Sequence, residues 1–308
     1  MEKPTIGFIG QGFIGKNYAD DFERRGYEVT RYALEEPFVQ NKDKIVLCDI
    51  VFIAVPTPTT PKGYDDSIVR SAVALTRPGA SVVIKSTMLP GTTESIQKEY
   101  PNRIVMHSPE FLRVTQAARD AAFPDRNIIG ITDVTNQTHK AAAEVVLALL
   151  PGAPYKIICT SREAEHIKYA GNLFLYMKVL FGNLIYELAE KEGCDFDIIK
   201  NTVAADPRIG PSHLEVLHAS GHVGSKPGRG AGGLCFIKDV AAFRELYEKI
   251  LPEDKAGANI LRALECKNVN LLTESGKDLD LVRGVYGDDS SKICVPLEAA
   301  DARSHPGS

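Results

Sequence analysis

Thr5-Ile6-Gly7-Phe8-Ile9-Gly10-Gln11-Gly12-Phe13-Ile14-Gly15 decides the fold. Thr5 to Ile9 is a short apolar run of strand type, Gly10 to Gly15 spell GxGxxG, and a helix-compatible stretch continues through Arg24. Between a strand and a helix, this motif marks the phosphate-binding corner of a dinucleotide fold. Gly10 makes the tight turn, Gly12 admits a pyrophosphate, and Gly15 lets the helix pack close to the strand. The amides at the helix N-terminus then face the phosphates.

Outward from this corner the first half reads as a parallel α/β unit. Tyr27 to Tyr32 is the second strand, at whose end an acidic side chain normally receives the ribose hydroxyls. None stands there. Glu35 or Glu36 can substitute, whereas Arg31 would favour a 2′-phosphate, so NAD over NADP is a preference. Residues 50–55 and 80–85 are continuous apolar runs that suit buried parallel strands, with a helix over 65–76 between them. The polar segments that follow, Pro56-Thr57-Pro58-Thr59 and Ser86 to Thr92, fall at the carboxyl edge where open sheets bind ligands. Thr57 and Thr87 are candidate contacts there, although both segments also read as proline-stiffened turns. Further strands are expected around 104–106, 128–131 and 155–158, with a helix over 138–150. This unit is assigned residues 1–160.

From Arg162 to Ala189 helix formers run without proline, too long for an average surface helix. The apolar stripe suits a central helix or a dimer seam. Glu165, Lys168 and Asn172 share one face, either as a substrate-binding group or as a polar network that supports the helix. Residues 161–287 are read as an all-helical domain and 288–308 as a tail without periodicity. Within the helical domain, Gly228-Arg229-Gly230-Ala231-Gly232-Gly233-Leu234-Cys235-Phe236-Ile237-Lys238-Asp239 places a thiol after a glycine run and before an ionic pair. A helical pattern resumes just downstream, which puts Cys235 near a helix N-terminus where the dipole favours a thiolate. An isolated cysteine is more commonly a buried hydrophobe.

The 308 residues are 44% hydrophobic and carry a formal charge of -4, which argues against nucleic acid or an acidic membrane as the main partner. Cys48, Cys159, Cys194, Cys235, Cys266 and Cys294 are dispersed without a CxxC pair, which argues against a zinc cluster or a disulfide scaffold. The seven histidines show no HExxH, and no metal is expected. Neither a signal-peptide core nor a membrane-spanning apolar run is present, so the cytoplasm is the expected compartment.

Taken in order, these motifs resemble the UDP-glucose/GDP-mannose dehydrogenase family. The resemblance rests on Gly10 to Gly15, Val55-Pro56-Thr57-Pro58, Ser86-Thr87 with Pro90-Gly91-Thr92, and Ser108-Pro109-Glu110-Phe111-Leu112-Arg113. Glu165 to Asn172, Arg208-Ile209-Gly210 and the stretch ending in Cys235-Phe236-Ile237-Lys238-Asp239 complete it. It implies an N-terminal Rossmann-like doubly wound sheet followed by an all-helical central and dimerisation domain. It further implies NAD-dependent four-electron oxidation of a nucleotide sugar, UDP-glucose first, at C6 to the uronic acid. Cys235 is then the nucleophile that forms a thiohemiacetal and a thioester, with Lys168, Asn172, Asp239, Thr87 and Glu110 around the sugar C6. The cofactor falls to Gly10, Gly12, Phe13, Ile14, Gly15, Thr57, Thr87 and Lys238. A homodimer is expected. Three departures stand out: Val114 replaces an expected glutamate, Ile237 replaces an expected proline, and a further Rossmann-like domain common in the family is missing from this sequence. Three readings follow: another protomer or a partner protein completes the substrate site, the donor is smaller or bound more weakly, or a cofactor-binding fold has lost efficient catalysis. Two other readings are a two-electron 3-hydroxyacid dehydrogenase, which needs no reactive thiol, and a noncatalytic NAD-binding assembly protein.

Overall fold

The computed structural model describes residues 3–222 and 224–297, and the chain divides into two units, 1–58 with 65–168 and 59–64 with 169–308. Along the chain run β1 (Ile6–Ile9), α1 (Phe13–Arg24), β2 (Val29–Tyr32), β3 (Ile50–Ile53), and the short strands β4 (Thr59–Thr60) and β5 (Gly63–Tyr64). Next come α2 (Ser67–Ala74), β6 (Ser81–Ile84), α3 (Thr92–Glu99), β7 (Ile104–His107), α4 (Ala117–Ala122), β8 (Arg126–Ile131), α5 (Gln137–Leu149) and β9 (Tyr155–Thr160).

The first unit is built on a seven-stranded sheet in the order β2-β1-β3-β6-β7-β8-β9. Neighbours are parallel except β7 and β8, which run antiparallel. The apolar runs form its middle because both of their faces are covered. Phe8 and Phe52 lie opposite each other in register, stack at 4.8 Å and meet Phe22 of α1 on one face. Their alternating neighbours Ile9, Val51 and Ile53 join Val69, Val82, Ile84 and Ile96 on the other. Since β1, β3 and β6 are adjacent and parallel, the loops after all three emerge at one sheet edge.

The remaining helices are α6 (Ser161–Glu192), α7 (Phe196–Ala204), α8 (Gly233–Ile250), α9 (Lys255–Ser275) and α10 (Leu279–Tyr286). The division between units falls inside α6, between Lys168 and Tyr169. In the second unit, Ile237 and Ala241 of α8 pack with Val269 and Leu272 of α9 and Val282 of α10. Tyr176, Val179 and Leu180 of α6 join Val240 and Leu271 in a second cluster. The β4-β5 hairpin, early in sequence, also belongs to this unit and packs against α8 and α10.

Cys266 and Cys294 form a disulfide with Cα atoms 4.9 Å apart, where dispersed thiols were expected. The pairing is tertiary and leaves no spacing signature, since 28 residues separate the two. Ser290–Cys294 forms a 3-10 turn, Ile293 is buried, and Asn259 exchanges hydrogen bonds with the Leu297 backbone at 2.7 and 3.1 Å. The part of the expected 288–308 tail beyond Leu297 lies outside the described residues. Among the described residues no helix is long and apolar enough to cross a membrane.

Candidate active site

At the glycine corner, each glycine answers to a different steric demand. Gly10 has φ +90, and a Cβ there would stand 2.3 Å from the Ala54 carbonyl oxygen. A Cβ on Gly15 would stand 1.9 Å from the Gly10 carbonyl oxygen, so the close return of α1 over the turn requires glycine. Gly12 differs, because a Cβ there would meet nothing within 4 Å. The open space over Gly12, at the N-terminus of α1, is what a dinucleotide pyrophosphate needs. Phe13 is exposed and Ile14 half-buried beside it. Arg31, the residue that would favour a 2′-phosphate, is instead held by Asp20 at 2.7 Å and Glu23 at 2.6 Å. This agrees with NAD.

The loops after β3 and β6 are tied together. Thr57 Oγ1 donates to the Thr87 carbonyl at 2.9 Å, and Ser86 Oγ donates to the Val55 carbonyl at 2.7 Å while accepting the Val55 N–H at 3.0 Å. Thr57 and Thr87 are both buried. Lys168 Nζ donates to the Glu110 carbonyl at 2.7 Å and to Glu110 Oε1 at 3.0 Å. Glu110 Oε2 accepts the Leu112 N–H at 2.8 Å, so the carboxylate is aimed from two sides. A residue overlooked from sequence lies close by: Lys85 is buried, donates to the carbonyl and hydroxyl of Ser108, and lies over the Tyr18 ring at 4.2 Å. Burial pushes its ammonium pKa down to about 8, against the pull of Glu110. Its signal was a lysine closing the otherwise apolar run of β6. Val114, the departure from the expected glutamate, is exposed.

The three polar residues of α6 have different partners. Glu165 accepts the N–H of Gly91 at 2.6 Å and the N–H and hydroxyl of Thr93 at 2.8 and 2.6 Å, closing the N-terminus of α3. Lys168 serves Glu110. Asn172, in the second unit, donates Nδ2 to Asp239 Oδ2 at 2.7 Å.

Asp239 lies on α8, buried, and its other oxygen receives Lys238 Nζ at 2.5 Å. One turn earlier, Cys235 is exposed and is the third residue of the helix, since α8 begins at Gly233. Ile237 keeps the N–H that proline would lack, so the helix can start ahead of the thiol. Thus Thr57, Thr87, Glu110 and Lys168 fall in the first unit, and Asn172, Cys235, Lys238 and Asp239 in the second.

Residues 34–148 match the NAD binding domain of the UDP-glucose/GDP-mannose dehydrogenase family, and residues 162–270 match its central domain. The glycine corner precedes the matched stretch and stands on its own geometry. A UDP-glucose 6-dehydrogenase of Rhizobium meliloti is 35% identical over 213 residues, 65% of this chain and 46% of that protein. The chain spans about half the length of the curated relatives it matches. A UDP-glucose dehydrogenase structure from Pyrobaculum islandicum aligns with TM-score 0.73 and 28% identity, covering 87% of this chain and 68% of that one. A 3-hydroxyisobutyrate dehydrogenase structure from Mycobacterium tuberculosis shares the fold, with TM-score 0.63 and 15% identity over 92% of this chain and 99% of that one.

Proposed function

The chain belongs to the UDP-glucose/GDP-mannose dehydrogenase family, and from that premise we propose that it oxidises the C6 alcohol of a nucleotide sugar to the carboxylate, with Cys235 as nucleophile. UDP-glucose is the first substrate of the proposal. The observation that carries it is the setting of Cys235: an exposed thiol in the first turn of α8, one turn ahead of a buried Asp239 that holds both Asn172 and Lys238.

NAD held over Gly12 would supply the hydride acceptor, one NAD for each of the two oxidations. The first oxidation leaves an aldehyde and releases the alcohol proton, which Glu110 or a water it orients can take up. Cys235 Sγ then adds to the aldehyde carbon, and the oxygen gains the thiol proton to give a thiohemiacetal. The second oxidation removes a hydride, to a second NAD, and the hydroxyl proton, to Glu110 or a water it orients, and leaves a thioester. Water adds to the acyl carbon, the C–S bond breaks, and the acid and the free thiol are released. Lys168 and Asn172 donate to the oxygen as it gains negative charge, and Asp239 orients Asn172 for that task. A homodimer along α6 is part of the proposal.

The test measures NADH at 340 nm and acid product with NAD and a panel of UDP- and GDP-sugars. Two NADH per acid, lost in Cys235→Ser, is the expected result. One NADH per sugar with normal turnover of Cys235→Ser would overturn the thioester route in favour of two-electron chemistry.

A further inference from the structure

Hydrogen bonds run from the end of α9 and the turn before α10 into the glycine-rich stretch ahead of Cys235. Ser275 Oγ accepts the Arg229 N–H at 3.0 Å. Lys277, fully buried, donates Nζ to the carbonyls of Gly228 at 3.3 Å and Gly230 at 2.9 Å, and lies 3.1 Å from His218 Nε2. Asp278 Oδ2 accepts the N–H of Gly233, the first residue of α8, at 2.8 Å.

Asp278 is set up for this contact. Its φ is +54, a left-handed conformation uncommon for a residue other than glycine. It precedes α10 in the capping position, yet its side chain makes no capping bond to that helix. The carboxylate turns instead to Gly233 and to Ser220 Oγ at 3.0 Å, with His222 Nδ1 at 3.6 Å. Gly232 makes room for it, since a Cβ there would stand 2.0 Å from Asp278 Oδ2. A glycine and a strained aspartate, 46 residues apart, are thus matched to each other at the helix end that carries the thiol.

We infer that the Ser275 to Asp278 turn is a clasp that sets where Cys235 stands, with Asp278 a positioning residue for thiol attack. This rests on the reading of Cys235 as the nucleophile. The clasp reaches the thiol through the α8 backbone, so breaking it displaces the sulfur without removing a reacting group.

The test uses the full chain with Asp278→Ala, Asp278→Asn and Gly232→Ala. The readouts are thermal melts, kcat and KM with UDP-glucose and NAD, and the iodoacetamide alkylation rate of Cys235 followed on its own peptide by mass spectrometry. Asp278→Ala is expected to lower kcat about 30-fold with KM for NAD unchanged, because small misplacement of a reacting group has effects of that order. Its Cys235 alkylation rate should change about fivefold. Asp278→Asn retains a carbonyl oxygen for the Gly233 N–H and should restore both readouts to near wild type. Gly232→Ala should reproduce Asp278→Ala, and it decides with Asp278→Asn if Asp278→Ala does not fold. Unchanged alkylation in both Asp278→Ala and Gly232→Ala, or an Asp278→Asn indistinguishable from Asp278→Ala, would overturn the clasp. Alkylation does not depend on turnover, so a failure of the nucleophile reading, seen in an active Cys235→Ser, is recognised separately.

Discussion

Asn172 and Asp239 join α6 to α8 through a 2.7 Å hydrogen bond across 67 residues of sequence. Reversing this pair separates its two roles. Asn172→Asp sets two carboxylates face to face, and Asp239→Asn removes the charge that receives Lys238. Each single change is expected to destabilise by about 1–3 kcal/mol and to slow turnover about 100-fold. The double swap restores a complementary pair, so melting should return most of the way to wild type while turnover stays low. Full recovery of rate in the swap would show that the pair is scaffolding alone.

Gly12 and Gly15 separate cofactor binding from folding within one motif. A methyl on Gly12 meets no protein atom within 4 Å, so Gly12→Ala should shift stability by less than about 1 kcal/mol. The same methyl fills the space proposed for the pyrophosphate, and NAD should bind about tenfold or more weakly, a change of about 1.4 kcal/mol. Gly15→Ala drives a Cβ onto the Gly10 carbonyl and should destabilise by about 1–3 kcal/mol. Calorimetry of NAD binding beside thermal melts checks both. Unchanged NAD affinity in Gly12→Ala would remove the pyrophosphate from this corner.

What could be read from the chain follows from how local each determinant is. The strands around Phe8, Phe52 and Val83 were legible because burial on both faces leaves unbroken apolar runs. The position of Cys235 near a helix start was legible from the glycines before it, and α8 begins within two residues of the thiol. Partners were not legible, because they are set by tertiary proximity. Nothing local joins Glu165 to Gly91 and Thr93, Cys266 to Cys294, or Asp278 to Gly233. The hairpin Thr59 to Tyr64 leaves the unit that surrounds it in sequence for the same reason. Lys85 is the exception, because a charge directly after a buried strand is itself a local sign of a polar site.

Glu165 predicts a pH dependence with a definite sign. Burial raises its pKa from the ordinary 4.5 to about 7, despite three donors that favour the ionised form. Between those values the folded chain holds a proton that the unfolded chain has released. Stability from this group therefore falls as pH rises from about 4.5 through about 7, by at most about 3 kcal/mol in total. Glu165→Gln lacks this titration. The melting temperature of wild type relative to Glu165→Gln should decline between pH 5 and pH 8, and parallel curves would refute the assignment.

Phe174, Met177, Phe181, Leu184 and Leu188 of α6 are all exposed, between 42% and 65%. Their alternating spacing of three and four residues makes a single apolar seam along about four turns of one helix, the pattern by which helices pair. An exposed apolar seam of that length is a recognised mark of association. A second copy of the same helix offers a matching seam and satisfies the symmetry that most soluble oligomers adopt. Phe181→Glu with Leu184→Glu places two charges at its centre without touching the buried side of α6, where Tyr176, Val179 and Leu180 pack. Wild type should sediment as a dimer at micromolar concentration and the double variant as a monomer with unchanged helicity. A wild type that is monomeric at those concentrations, or a double variant that remains dimeric, would remove α6 from the interface. If the monomer also loses turnover while keeping NAD affinity, the second copy contributes to the substrate side of the site rather than to the cofactor corner.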